Sequence, residues 1–168
     1  MSKPKVAVVM GSDSDWAMME ECVEQLRAFG LEPHVEVMSA HRSPQRVHEF
    51  AAGAESAGFE VIIAAAGMSA ALAGCLAAQT CLPVIGVPLA GGALDGLDAL
   101  LSTAQMPPGV PVAAVGLGSA GAKNAALLAV QFLAKRDPAL HEAYRRFRSE
   151  QADQVAAGNR ALQEKIGG

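Results

Sequence analysis

Apolar residues fall along this chain in short unbroken runs that alternate with stretches of helical spacing. Lys5-Val6-Ala7-Val8-Val9-Met10 is the first run, and the Val-rich Pro33-His34-Val35-Glu36-Val37-Met38 is the second. Val61 to Ala65, Pro83 to Val87 and Val110 to Val115 follow. Runs of this length bounded by turn residues predict strands, and the uninterrupted ones predict strands covered on both faces. Between the first two, Trp16 to Phe29 carries Met18, Met19, Cys22, Val23 and Leu26 at helical spacing and stops at Gly30, a residue suited to a helix end. Gln45 to Ala57 (ending at Gly58), Leu72 to Thr80, Leu94 to Thr103 and Lys123 to Lys135 predict further helices. Pro44 suits the first turn of the second, with Ser43 as its N-cap. Beyond Pro138, Ala139 to about Lys165 predicts a last helix that is charged and includes Arg145, Arg146 and Arg148. It has too few apolar positions for a core helix, so it is expected on the surface or reaching to a neighbouring subunit.

Strands alternating with helices predict an α/β fold: one doubly wound parallel sheet of about five strands, in a single domain over residues 1–168. Its core spans about 5–136, and the long C-terminal helix about 139–165. Ligands in such sheets bind beyond the carboxyl ends of the strands, where strand order reverses. Four unusual loops follow strands and are therefore expected at one edge: Gly11 to Trp16, Ser39 to Pro44, Ala66 to Ala71 and Pro88 to Gly92.

Composition narrows the function classes. A net charge of -4 with no basic cluster argues against nucleic acid as a partner. The longest weakly charged span, Val61 to Leu94, is broken by Pro83, Pro88 and several glycines, which argues against a membrane crossing. Met-Ser-Lys-Pro-Lys leads straight into the first strand, so no secretory leader is expected. Cys22, Cys75 and Cys81 show no metal spacing and suit a reducing cytosol; Cys75 and Cys81 are expected as small buried hydrophobes. Apolar residues make up 51% and aromatics 4%, which predicts an interior of Ala, Val, Leu and Gly and more apolar surface than one small domain hides. Oligomerisation is the expected outlet.

Candidate chemistry concentrates in the first two loops. Gly11-Ser12-Asp13-Ser14-Asp15-Trp16 joins a strand to a helix, where free N–H groups and the helix dipole favour an anion. Gly11 permits close approach, Ser12 and Ser14 can donate to phosphate oxygens, and Asp15 suits a sugar hydroxyl. The competing reading is that Ser12 or Asp13 simply caps a helix beginning near Ser14. Neither a Gly-x-Gly-x-x-Gly fingerprint nor a P-loop is present. In the second loop Arg42 offers a planar, permanently charged fork for phosphate. His41 is the one His among the converging loops, although it could be a structural His bonded to a backbone carbonyl. His34, His48 and His141 read as surface residues. No Ser-His-Asp or Cys-His arrangement, carboxylate pair or metal cluster can be assembled.

Several motifs in order now resemble one family: Met10-Gly11-Ser12-Asp13-Ser14-Asp15-Trp16, Ser39-Ala40-His41-Arg42-Ser43-Pro44, Pro83-Val84-Ile85-Gly86-Val87-Pro88, Gln105-Met106-Pro107 and Lys123-Asn124-Ala125-Ala126-Leu127-Leu128-Ala129. They are similar to the 5-(carboxyamino)imidazole ribonucleotide mutases of purine biosynthesis, the PurE family, over about residues 5–150. The resemblance implies a flavodoxin-like fold, a cytoplasmic homo-octamer with sites completed by neighbours, a small ribonucleotide substrate, and no cofactor or metal. It implies Ser12 and Arg42 on the substrate phosphate, with Gly11 and Ser14 shaping that loop and Asp15 on the ribose. Ser39 and Ala40 would line the base, Gly67 and Ser69 would join the substrate-binding set, and His41 would be the general acid/base. The reaction so implied moves a carboxylate from the exocyclic nitrogen of the imidazole to a ring carbon.

One segment departs from the pattern. Where the mutase branch usually has Gly-Gly-Ala-Ala-His-Leu-Pro-Gly, this chain has Gly67-Met68-Ser69-Ala70-Ala71-Leu72-Ala73-Gly74, so Ala71 stands in place of a second His. The carboxylase branch, which uses free carbon dioxide and carries Gly-Arg-Ser-Asn-Ala-Leu-Ser-Gly, is matched at Gly67, Ser69, Ala71, Leu72 and Gly74 but not at Met68 or Ala70. Arg42 and the Gly118 to Ala129 segment favour the mutase. The alternatives are a carboxylase, which is a lyase, and a binding module for phosphorylated nucleotides that has lost the reaction.

Overall fold

The structure, a computed structural model, describes residues 5–167; residues 1–4, which bear the expectation about a leader, and residue 168 lie outside the described residues. In order the elements are β1 (Val6–Met10), a single 3-10 turn (Asp13–Asp15), α1 (Trp16–Ala28), β2 (His34–Val37), α2 (Pro44–Ala57) and β3 (Val61–Gly67). Then come α3 (Leu72–Ala77), β4 (Val84–Leu89), α4 (Leu97–Ala104), β5 (Ala113–Ala114), α5 (Gly118–Ala134) and α6 (Pro138–Ile166). All five strands are parallel in the order β2-β1-β3-β4-β5, the flavodoxin-like arrangement, so strand order reverses between β1 and β3.

Side chains alternate across the strands and so supply two cores. Val6, Val8 and Met10 of β1 join Val61, Ile63 and Ala65 of β3 beneath α1 and α5. Ala7, Val9, Ile62 and Ala64 point the other way, beneath Val47, Phe50 and Ala54 of α2 and Leu72 and Leu76 of α3. The seam between α1 and α5 is narrow because α5 presents Ala122, Ala125, Ala126 and Ala129. Cys22 is buried there, and burial pushes its thiol up to about 12, which removes it as a nucleophile.

Several boundaries differ from the sequence reading. β5 shrinks to Ala113–Ala114 because Pro107, Pro108, Gly109 and Pro111 precede it, and residues without an N–H cannot hold a ladder. β4 runs through Pro88 to Leu89. Gly86 turns its carbonyl to the N–H of Val115 at 3.0 Å, and Pro88, two residues on, faces the same side beyond the end of β5, where no ladder bond is required. α5 starts at Gly118 rather than Lys123, and α3 ends at Ala77 rather than Thr80. α4 begins only at Leu97, after Gly96 in the left-handed region. Cys75 and Cys81 are exposed rather than buried, since α3 turns Leu72, Ala73 and Leu76 inward and leaves Cys75 on its outer side. His34 is half-buried, its ring 6.1 Å from that of Phe50 and bonded to Glu36 at 2.9 Å; His48 and His141 are exposed as expected.

Apolar surface remains uncovered. Leu94, Leu97 and Leu101 form an exposed stripe on and before α4, and from Arg148 to Gly167 every residue of the last helix and its cap is exposed, including Val155, Leu162 and Ile166.

Gly121 supplies a test of the α5 entry. A methyl group placed there would lie 1.7 Å from the carbonyl oxygen of Gly116, so the helix can fold back on the preceding loop only without a side chain. Gly121→Ala should lower the unfolding free energy by roughly 1–3 kcal/mol in urea titrations, although alanine is the better helix former by about 1 kcal/mol. Unchanged or greater stability would show that the close approach does not exist.

Candidate active site

Parallel register sets the height of each loop. Val37, Met10, Ala65 and Val87 stand level across four strands. β1 then turns at Gly11 and β2 at Met38, whereas β3 and β4 stay paired for two more residues, to Gly67 and Leu89. The taller pair backs a cavity of about 620 Å³ whose floor is made by the first two loops. Every residue anticipated for the site lines it: Gly11, Ser12, Ser14 and Asp15; Ser39, Ala40, His41 and Arg42; Gly67 and Ser69.

The first loop is knotted by its own polar groups. Ser12 caps the 3-10 turn while the Asp15 carboxylate accepts the Ser12 N–H at 3.0 Å, a reciprocal capping box. The Ser14 N–H goes to Asp13 Oδ1 at 3.0 Å, and the Ser14 hydroxyl donates to Ser12 Oγ at 2.9 Å. Two N–H groups expected to be free for an anion are therefore already engaged. The two adjacent hydroxyls also donate within the loop, Ser14 to Ser12 and Ser12 to Asp13 Oδ1 at 3.1 Å, but unlike the N–H groups they can rotate towards a ligand. The capping reading and the ligand reading are compatible, because the cap is what aims Ser12 and Ser14. Burial raises the carboxyl of Asp15 above its ordinary value of 3.8, against the N–H groups of Ser12 and Gly11 and the charge of Arg42, which lower it.

The second loop closes on itself. The Ser39 N–H donates to Ser43 Oγ at 2.9 Å and the Ser43 hydroxyl returns to the Ser39 carbonyl at 3.1 Å, so Ser43 holds the N-cap position of α2 but spends its hydroxyl on the loop. Pro44 stands in the first turn of α2, as expected. Arg42 reaches out of this loop and donates from Nη2 to the Gly11 carbonyl at 3.1 Å, with Nε 3.4 Å from Ser39 Oγ. The guanidinium thus lines the same cavity as the Ser12 and Ser14 hydroxyls, and all three are groups able to bind a phosphate monoester. His41 is exposed on the same turn, and the hydrogen bonds of the loop run through Ser39, Arg42 and Ser43, leaving the imidazole out.

Behind this polar floor the wall is apolar: Ala66, Met68, Ala71, Leu72 and Leu89. These residues were absent from the anticipated site, though their loops were placed at this edge. Met68 is 62% exposed and adopts φ +55°, a left-handed conformation that costs a branched or bulky L-residue roughly 1–2 kcal/mol. Nothing in residue order signals that dihedral. Gly91 and Gly92, both at positive φ, line the cavity from the fourth loop, and a methyl group placed on Gly92 would lie 3.4 Å from the Cγ of Met68. Among the described residues no cluster of His, Cys, Asp or Glu could hold a metal ion, and no helix is long and apolar enough to cross a membrane.

Comparison with known proteins follows the same boundaries. A family described as AIR carboxylase matches residues 5–154. The N5-carboxyaminoimidazole ribonucleotide mutase of Pyrococcus abyssi is 52% identical over 147 residues, covering 88% of this chain and 83% of that protein. The mutase of the same name from Mycobacterium tuberculosis is 50% identical over 165 residues, 98% of this chain and 94% of that one. The crystal structure of Treponema denticola PurE superposes with a TM-score of 0.86 at 27% identity, covering 95% of this chain and 99% of that one.

Asp15 gives the site a pH signature. Its folded pKa is raised, so the folded state binds the proton more tightly than the unfolded chain does. Its contribution therefore favours folding at low pH and is lost as pH rises from 3.8 through the raised value. Asp15→Asn should gain stability relative to the parent as pH rises from below 3.8 towards neutrality in urea titrations. A difference that stays flat, or that moves in the parent's favour, contradicts the assignment.

Proposed function

Because the chain belongs to the AIR carboxylase family, we propose that it is an N5-carboxyaminoimidazole ribonucleotide mutase acting in purine biosynthesis. The observation that carries this reading is identity of about half, over nearly the whole chain, to proteins of that name. The same identity favours an isomerase over the carbon dioxide-dependent carboxylase, a lyase. His41 and Arg42 in one cavity weigh against a binder that has lost its chemistry.

On this reading the substrate phosphate sits between Arg42 and the hydroxyls of Ser12 and Ser14, at the close approach that Gly11 allows. Asp15 takes the ribose hydroxyls at the rim of the same loop. Ser39 and Ala40 border the imidazole, and Gly67 and Ser69 complete its enclosure. His41 gives a proton to the exocyclic nitrogen as its bond to the carboxyl carbon breaks, releasing carbon dioxide and an amine. The ring carbon then bonds to that carbon dioxide with its π electrons and loses its own proton to His41. One proton is lent and returned, so the atoms balance with no external acid, cofactor or metal. An imidazole suits both steps near neutral pH, and holding the two fragments together replaces a bimolecular encounter.

The reading extends to a cytoplasmic homo-octamer. Its support is the uncovered stripe of Leu94, Leu97 and Leu101 and the exposed length of α6, both of which a neighbouring subunit could cover. Light scattering at micromolar concentration should find a closed oligomer, and a monomer refutes this part.

Two variants separate binding from chemistry. Arg42→Ala should weaken substrate affinity by much more than tenfold in calorimetric titration while far-UV circular dichroism is preserved. His41→Asn should keep near-normal affinity and lose about 100- to 10,000-fold or more in turnover. Retention of most activity by His41→Asn would move the proton chemistry to another group. Assaying the carboxyamino compound without bicarbonate, and aminoimidazole ribonucleotide with it, identifies the branch.

A further inference from the structure

The proton chemistry proposed above falls to His41, whose own groups do not anchor it. Among the described residues no hydrogen bond begins or ends on Ala40 or His41, and the imidazole is exposed. Arg42, the next residue, is held at its tip by the Gly11 carbonyl and at its backbone by Ser39 Oγ, which accepts the Arg42 N–H at 3.2 Å. The direction in which His41 leaves the chain is therefore set by how the turn from Ser39 to Ser43 closes.

Both flanks of that turn are fixed. Met38 donates its N–H to the Met10 carbonyl at 2.8 Å, and Pro44 opens α2 with a locked φ. Between them Ser39 and Ser43 are clasped. The Ser43 N–H and the Ser43 hydroxyl both donate to the Ser39 carbonyl, at 2.9 Å and 3.1 Å, and the Ser39 N–H donates to Ser43 Oγ at 2.9 Å. Most of the clasp thus runs through one hydroxyl. That hydroxyl stands at the N-cap of α2, where a serine ordinarily accepts an N–H of the first helical turn, and it makes no such bond. It is spent on the turn that carries His41, at the expense of the helix. Ser43 is half-buried and takes no part in lining the cavity.

We propose that Ser43 is a positioning residue for the reaction: its hydroxyl clasps the turn from Ser39 and so aims the His41 imidazole at the exocyclic nitrogen and ring carbon of the substrate. This rests on the mutase reading and on His41 as its acid/base. Ser43 touches neither the substrate nor the proton. Arg42 keeps its own anchor on Gly11 when the clasp opens, so loss of the hydroxyl falls on proton transfer and spares phosphate binding. Displacing a reacting group by about 1 Å can cost roughly 100-fold in rate.

The experiment separates turnover from affinity. Wild type, Ser43→Ala and Ser43→Thr are compared for turnover of the carboxyamino substrate and, by calorimetric titration without bicarbonate, for affinity towards aminoimidazole ribonucleotide, which then binds without reacting. Ser43→Ala should lose roughly tenfold or more in turnover per folded molecule, with affinity close to that of wild type. Ser43→Thr keeps the hydroxyl and should restore most of the turnover. Should the alanine variant fail to fold, Ser43→Gly, which an N-cap position tolerates, removes the same hydroxyl and should show the same split. A smaller loss of turnover, a fall in affinity as large as the fall in turnover, or a threonine variant as impaired as the alanine one overturns the role of Ser43 and leaves the mutase reading intact. Wild type that does not convert the carboxyamino substrate overturns the mutase reading and this role with it.

Discussion

Everything at this site depends on the parallel register that sets Val37, Met10, Ala65 and Val87 level while letting β3 and β4 run on to Gly67 and Leu89. Two strands that stop early and two that stop late make a step in the sheet edge. The polar loops fill the low side of the step and the apolar loops the high side. A slip of one residue in β1 would turn Val8 and Met10 into the α2 core and Ala7 and Val9 beneath α1. The hydrophobic pattern of β1 therefore holds the Ser12 and Ser14 hydroxyls and the apolar wall at their separation, with no contact between them needed.

The bond from Arg42 to the Gly11 carbonyl couples the two polar loops across 31 residues of chain. It also sets the electrostatic balance of the floor, where Asp13 and Asp15 oppose a single guanidinium. Arg42 thus ties the two loops together through its planar fork, bonding the Gly11 carbonyl from Nη2 with Nε beside Ser39 Oγ, a pair of contacts that the single ammonium of a lysine would not reproduce.

How much of this could be read beforehand depended on whether the cause was local. Valine-rich runs ending in glycine or serine are local, so β1 to β4, their order of appearance and the edge where their loops meet were legible. The cap was half legible: Ser12 is a cap by residue type, but the return bond from its N–H to the Asp15 carboxylate is not expected of a residue that suits a sugar hydroxyl. The contraction of β5 had a local cause too, in Pro107, Pro108 and Pro111 just before it. Two things were not legible: the exposure of Cys75 depends on which side of α3 meets the sheet, and the φ of Met68 depends on packing between two loops. Each is decided by partners distant in sequence, where propensity is silent.

The exposed part of α6 has a consequence for the life of the chain. Twenty residues, from Arg148 to Gly167, stand in water with no core of their own fold against them. An isolated helix of that length is marginal, because its ladder repays its conformational entropy only barely. Its order then becomes a property of the company the chain keeps. In a single copy of the chain this is the segment most open to fraying and to proteases, on a domain otherwise complete without it.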